Sequence, residues 1–209
     1  NFLVNRADVY LKYLQGPFSI KPWVGVDFAL KALERYSFFT NAGLSLGWQQ
    51  TDWANLDLVY RFSNRSFRYL VAPDYNRTGY LNEVGLFQTF YFGNQAAWRL
   101  GGMFGREVTK GINWDNKNFS FLTDISINLP YKFNIWGFFQ YSRYNFENID
   151  TFALVRQRQN YYQVSLQVRR PLTDYLDIIA GYTHVSQRSN LPDFTYDRNV
   201  YQLLLNARY

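Results

Sequence analysis

His184 is the only histidine in the chain, and Ser186 stands two positions after it. A histidine base beside a serine nucleophile is the raw material of acyl transfer, provided the two come within hydrogen-bond reach and a third group orients the base. Two positions along one extended strand separate them by roughly 7 Å, which is too far for a direct pair, and no motif marks a serine elsewhere. The expectation is an interfacial His184 and no enzyme. Metal chemistry has equally little to work with. The absence of cysteine removes thiolate sites, and a single histidine removes imidazole clusters. Asp115, Asp150 and Asp193 fall in polar connecting segments and offer the oxygen ligands that hard cations prefer. They lack the dense acidic spacing of a dedicated cation loop, so they read as solvated loop acids. No metal and no cofactor is expected.

A second set of chemically able residues lies inside alternating segments, on their polar side. The bases are Lys12, Lys31, Arg61, Arg99, Arg169 and Arg208; the acids are Asp8, Asp27, Asp57, Asp124 and Glu83. A ring of one sign would filter ions. Here the two sets nearly cancel, which implies mutual pairing in a narrow interior and weak selectivity. The net charge of +6 then belongs mainly to turns, loops and rims. Because charges of both signs are scattered rather than gathered in a basic stripe, nucleic acid is not an expected partner.

The elements that must position these residues alternate with period two, the mark of a strand with one apolar face. Tyr162, Val164, Leu166 and Val168 oppose Gln163, Ser165, Gln167 and Arg169. The same pattern runs through Val24–Lys31, Ala42–Gln49, Asn55–Phe62 and Phe119–Leu129. Noisier segments lie near Val9–Tyr13, Val84–Phe92, Trp98–Phe104, Ile135–Tyr141, Leu176–Tyr182 and Leu203–Tyr209, with Gln88 the main blemish on an apolar stripe. Hydrophobic residues make up 47% of the 209, yet no run approaches the roughly 18 consecutive apolar residues of a membrane helix. Aromatic residues reach 21%, with 18 Tyr and 6 Trp. These side chains suit surfaces that are apolar at one end and wet at the other, such as the girdles of a membrane barrel.

Segments of roughly ten residues are long enough to cross a bilayer with tilt, whereas strands of a soluble sandwich are shorter. Connections alternate between short ones (Gly93–Gln95, Leu129–Lys132, Arg170–Asp174) and long polar ones near Val71–Gly79, Glu107–Lys117, Asn145–Asn160 and Gln187–Arg198. Outer-membrane barrels show this asymmetry, with short periplasmic turns and long external loops. The expected fold is all-β: one transmembrane antiparallel up-and-down barrel over residues 1–209, in the outer membrane of a Gram-negative-type bacterium, with outer-membrane lipid as its surroundings. Eleven segments are legible, but single-chain bacterial barrels close with an even number, so about twelve strands are expected. The twelfth is either unrecognised, within Asn1–Asn5 or Gly16–Pro22, or lost with an N-terminal piece. The chain opens at Asn1 with neither Met nor a signal peptide, which reads as a mature or trimmed product.

The last segment, Val200 to Tyr209, places Leu203, Leu205 and Ala207 on one face and an aromatic residue at the terminus. It resembles the signal by which the barrel-assembly machinery recognises its clients, with Tyr209 where Phe is commonest. Arg170-Pro171-Leu172-Thr173-Asp174, Ala180-Gly181-Tyr182-Thr183, Ser189-Asn190-Leu191-Pro192 and Tyr196-Asp197-Arg198-Asn199 are similar to the C-terminal barrels of tetratricopeptide-repeat-fused outer-membrane proteins, including β-barrel porins and surface lipoprotein assembly modifiers. The match covers roughly the last third; the rest agrees only in pattern. The resemblance implies an outer-membrane channel or export conduit, with a periplasmic helical-repeat domain or secretion partner. The competing expectation is a non-conducting barrel that anchors or sheathes a partner protein.

Overall fold

The computed structural model describes residues 2–31, 34–68, 73–173 and 175–207. Twelve strands form one antiparallel, up-and-down sheet: β1 (Phe2–Tyr10), β2 (Tyr13–Gln15), β3 (Phe18–Lys31), β4 (Glu34–Thr51), β5 (Ala54–Phe67), β6 (Gly79–Phe92), β7 (Ala96–Thr109), β8 (Asn116–Asn128), β9 (Asn134–Ile149), β10 (Arg156–Pro171), β11 (Leu176–Ser189) and β12 (Tyr196–Ala207). From β3 onward each strand pairs with the next along the chain, while β1 and β2 both pair with β3. Among the described residues no ladder joins β1 to β12.

β1 and β2 meet β3 in one continuous register, Tyr10 opposite Trp23 and then Tyr13 opposite Ile20. What divides them is Pro22. Proline has no amide hydrogen to give the ladder, so Leu11 donates to the Pro22 carbonyl at 3.1 Å without the return bond. Twelve strands therefore occupy eleven positions across the sheet. Of the two stretches that could hold a twelfth strand, residues 2–5 belong to β1 and residues 18–22 to β3. The β2–β3 turn is Gly16-Pro17, with Gly16 at φ +56. A glycine with positive φ at the first central position suits the tight hairpin turns that match strand twist.

The strands run to 14 residues in β3 and 18 in β4, against the ten expected. The connections on the longer-loop side shrink to match: β7 continues to Thr109 and β8 starts at Asn116; β9 continues to Ile149 and β10 starts at Arg156. The sequence pattern fades here because both faces turn polar, but backbone pairing needs no apolar side chains. Three of these connections hold a single 3-10 turn, at Pro73–Tyr75, Ile112–Trp114 and Pro192–Phe194.

One face of the sheet is apolar and exposed: Leu46, Leu58, Val84, Phe104, Ile125 and Leu166 are all at least 40% accessible. The opposite face is the more buried one from β5 to β11, with Ser142 and Asp177 at 0%. A single-layered sheet has nothing but itself to cover that face, so it curls with its polar side inward. The inner face also carries an apolar cluster of Val59, Phe87 and Met103, packed by Leu122. Phe87 fits because Gly101 lies opposite it on β7; a Cβ there would come within 2.4 Å of the ring. Replacing Phe87 by Ala is expected to lower unfolding stability by about 3–5 kcal/mol, while Leu58→Ala on the exposed face should cost far less in detergent. Denaturant titration of both variants checks the assignment of faces.

Candidate functional site

The interior face is the candidate site, and alternation decides which side chains reach it. Asp27 accepts from Asn41 Nδ2 at 2.7 Å, with Arg6 Nε 3.6 Å away on the neighbouring strand. Asp57 accepts from Asn55 Nδ2 at 2.7 Å. Arg99 lies 4.3 Å from the centre of the Phe87 ring, a cation-over-ring contact that also places charge against the apolar cluster. Asp124 stands opposite Arg99 in the β7–β8 register and shares its face. Arg61 lines the central cavity together with Asp8 and Glu83. Lys12 lies at the short-turn end beside Lys21. Arg169 pairs with the fully buried Asp177, which also accepts from Asn206 Nδ2 at 3.3 Å. The Lys31 side chain and Arg208 lie outside the described residues.

Between the charges run hydroxyl and amide ladders. Ser120 and Ser142 meet at 2.7 Å, and Gln140 donates to Ser142 at 2.8 Å. Tyr161 donates to Gln163 at 2.7 Å, Gln163 to Ser165 at 3.2 Å, and Ser165 shares a bond with Thr183 at 2.9 Å.

Three cavities follow one another along this face. The one near the short turns holds about 630 Å³, between Lys12, Gln49, Asn55 and Asp57. It shares Val59 and Arg99 with a central cavity of about 740 Å³. That in turn shares Arg65, Leu81 and Glu83 with a smaller one of about 280 Å³ beneath the longer loops. Arg65 Nε, Arg99 Nε and Gln157 Nε2 are buried without a hydrogen-bond partner among the described residues. Two of them line cavities that are polar and large enough to hold water.

At the longer-loop end the path meets a cap. Trp114, in the β7–β8 connection, touches Tyr75 of the β5–β6 connection (centroids 6.4 Å apart), Phe146 of β9 (6.1 Å) and Phe194 of the β11–β12 connection (5.7 Å). Arg77 sits 4.3 Å over the Trp114 ring, and the indole N–H donates to the Tyr75 carbonyl at 3.1 Å. From below, Arg65 donates to Glu107 at 2.8 Å, Asn116 donates to the other Glu107 oxygen at 2.9 Å, and Asn116 also donates to the Trp114 carbonyl at 2.9 Å. The cap thus rests on an interior ion pair.

Arg65, Glu107 and Asp177 were missing from the interior charges expected from sequence, and so was the Trp114 contact set. Arg65 could have been reached by extending the alternation from Arg61 through Ser63. Of the three loop acids read as solvated, Asp193 is exposed, while Asp115 and Asp150 have specific work instead. Asp115 accepts from the Thr109 amide at 2.6 Å. Asp150 accepts from Tyr75 Oη at 2.8 Å and from the amides of Phe152 and Ala153 at 2.9 and 2.8 Å. His184 lies on the outer face, its Nδ1 2.8 Å from Asn199 Oδ1. Leu203 and Leu205 project from the outer face of β12 at 72% and 68% exposure; Ala207 ends that strand, and Tyr209 lies outside the described residues.

No protein-family model and no curated protein matches the chain.

Asp150 also makes the cap sensitive to pH. Burial alone would raise its pKa, but the Ala153 amide, the Tyr75 hydroxyl and the Phe152 amide together hold the carboxyl below its ordinary value. A depressed folded pKa contributes stability that is fully present above the unfolded value, about 3.9, and is lost as pH falls through the folded one. Acidification through that range should loosen the cap, and Asp150→Asn should do so at neutral pH. Hydrogen exchange at the Phe152 and Ala153 amides reads this directly; unchanged protection in both conditions would contradict the assignment.

Proposed function

We propose that the chain is a transmembrane barrel of a bacterial outer membrane that passes small polar solutes through its interior, with the Trp114 cap as its gate. The observation that carries this reading is the row of adjoining cavities, sharing charged lining residues, from the short turns to the cap. A solid packed interior would favour a static anchor; a polar interior that water can wet favours passage. The exposed apolar face supports a lipid environment, since an apolar band outside and polar residues inside is the arrangement of outer-membrane barrels. The similarity of the last third to repeat-fused barrels fits the same compartment, with a periplasmic repeat domain or secretion partner, and assembly through a terminal signal around Leu203 and Leu205.

A bilayer core tolerates no unpaired backbone edge. In this reading β1 and β12 must therefore be satisfied in lipid, against each other or against a further strand. Both run from the longer-loop end to the short-turn end, so direct pairing would be parallel, whereas one inserted strand would be antiparallel to both. Selectivity should be weak with a slight preference for anions, because Asp8, Asp27, Asp57, Glu83 and Glu107 offset most of Arg6, Lys12, Lys21, Arg61, Arg65, Arg77 and Arg99 along the path.

The cap itself favours the second reading, a barrel that sheathes or anchors a partner and conducts nothing. Planar-bilayer recording separates the two. The native chain should show small, flickering conductance, and Trp114→Ala should raise the open fraction severalfold with little change in ion preference. A native chain that stays silent, and remains silent with Trp114 and Arg77 both replaced by Ala, would favour the anchor.

A further inference from the structure

A surplus of positive charge gathers in one place on the outer surface. Beyond the apolar band, toward the longer loops, the outward stripes of five consecutive strands turn basic: Arg106 on β7, Lys117 on β8, Arg143 on β9, Arg158 on β10 and Arg188 on β11. Arg106 and Lys117 are direct cross-strand partners, an arrangement of like charges that is destabilising by itself. One acid, Glu147, sits between them, 3.2 Å from each. Arg188 pairs with Asp197 at 2.9 Å. Five bases against these two acids leave the patch positive. Arg106, Lys117 and Arg188 are each more than half exposed. Phe104, Phe119 and Tyr141 lie immediately below on the same outer stripes, and Tyr162 stands opposite Tyr141.

We propose that this belt is a binding surface for the phosphate headgroups of anionic lipid in the leaflet at the longer-loop end. The proposal rests on the membrane reading above and adds the chemistry of the lipid partner. Two features select a lipid headgroup as the occupant. The belt follows the boundary of the exposed apolar face instead of converging on a pocket, so its ligand lies alongside the barrel. The aromatic residues beneath it supply the apolar surface against which the acyl chains of such a ligand would lie. Each basic side chain near a charged membrane surface strengthens attraction to anionic headgroups.

The test is lipid retention. The native chain is reconstituted in phosphatidylcholine alone or mixed with phosphatidylglycerol, extracted into mild detergent, and its bound phosphatidylglycerol counted by native mass spectrometry. Enrichment of phosphatidylglycerol on the native chain is expected, falling roughly fivefold per charge removed in Arg106→Gln/Lys117→Gln and again in Arg158→Gln/Arg188→Gln. Competing inorganic phosphate should displace little of it, and Lys132→Gln/Arg170→Gln at the opposite end should leave it unchanged. Three results would overturn the proposal: equal retention in all variants, equal loss from the opposite-end variant, or full displacement by free phosphate, which would mark a simple anion site. A chain that enters neither kind of vesicle would instead overturn the membrane reading on which the proposal rests.

Discussion

One sheet with no second layer has to bury one of its faces on itself, and the rest of this structure follows from that constraint. A soluble protein meets the same problem by turning the apolar face inward. Here the large apolar side chains stay outside, and the buried face holds serines, glutamines, asparagines and charges. Burying such groups costs several kcal/mol apiece unless each finds a partner. The inner face answers with registered neighbours: Arg169 with Asp177, Arg65 with Glu107, Ser120 with Ser142, Ser165 with Thr183. Three of these pairs bridge adjacent strands and Arg65 reaches from β5 past β6 to Glu107 on β7, so the inner network and the sheet register are mutually dependent. The Val59, Phe87 and Met103 cluster is the main apolar group on this face, and it lies on three successive strands, beside Arg99.

The same network reaches the longer-loop end. Glu107 is held on both oxygens, by Arg65 and by Asn116, and Asn116 in turn holds the backbone of Trp114. Loops as short as these have little freedom of their own, and their 3-10 turns aim Tyr75, Trp114 and Phe194 at one another. Asp150, tied to Tyr75 and to the start of its own turn, locks the β9–β10 connection to the β5–β6 connection. A disturbance of the interior ion pair is therefore transmitted to the cap through a single asparagine.

The architecture was legible wherever one stripe was wholly apolar and the other wholly polar. Tyr162 to Arg169 is such a stretch, and its two faces fall as alternation requires. β6 was harder because its inner stripe carries Leu81 and Phe87 while its outer stripe carries Asn82 and Gln88, which bond to Tyr60 and Gln50 across the surface. Each stripe therefore mixes apolar and polar residues, which blurs the alternation. β9 hides a stacked Trp136 and Phe138, 5.5 Å apart, on the inner side for the same reason. Strand ends could not be read at all, because past the apolar band the period-two contrast vanishes while the backbone ladder continues. The cap was beyond reach of the sequence because it joins residues as distant as Tyr75 and Asp150, whose proximity depends on how far the sheet curls.

The central claim is that adjacent residues of one strand face lipid and interior water in turn. Since the chain has no cysteine, single cysteines at Leu166 and Gln167 can be labelled with an environment-sensitive dye in bilayers and quenched separately by brominated lipid and by aqueous iodide. The account predicts that the label at Leu166 is quenched by the lipid and shielded from iodide, with the label at Gln167 showing the reverse. Equal quenching of both labels by iodide, with no effect of the brominated lipid, would contradict it.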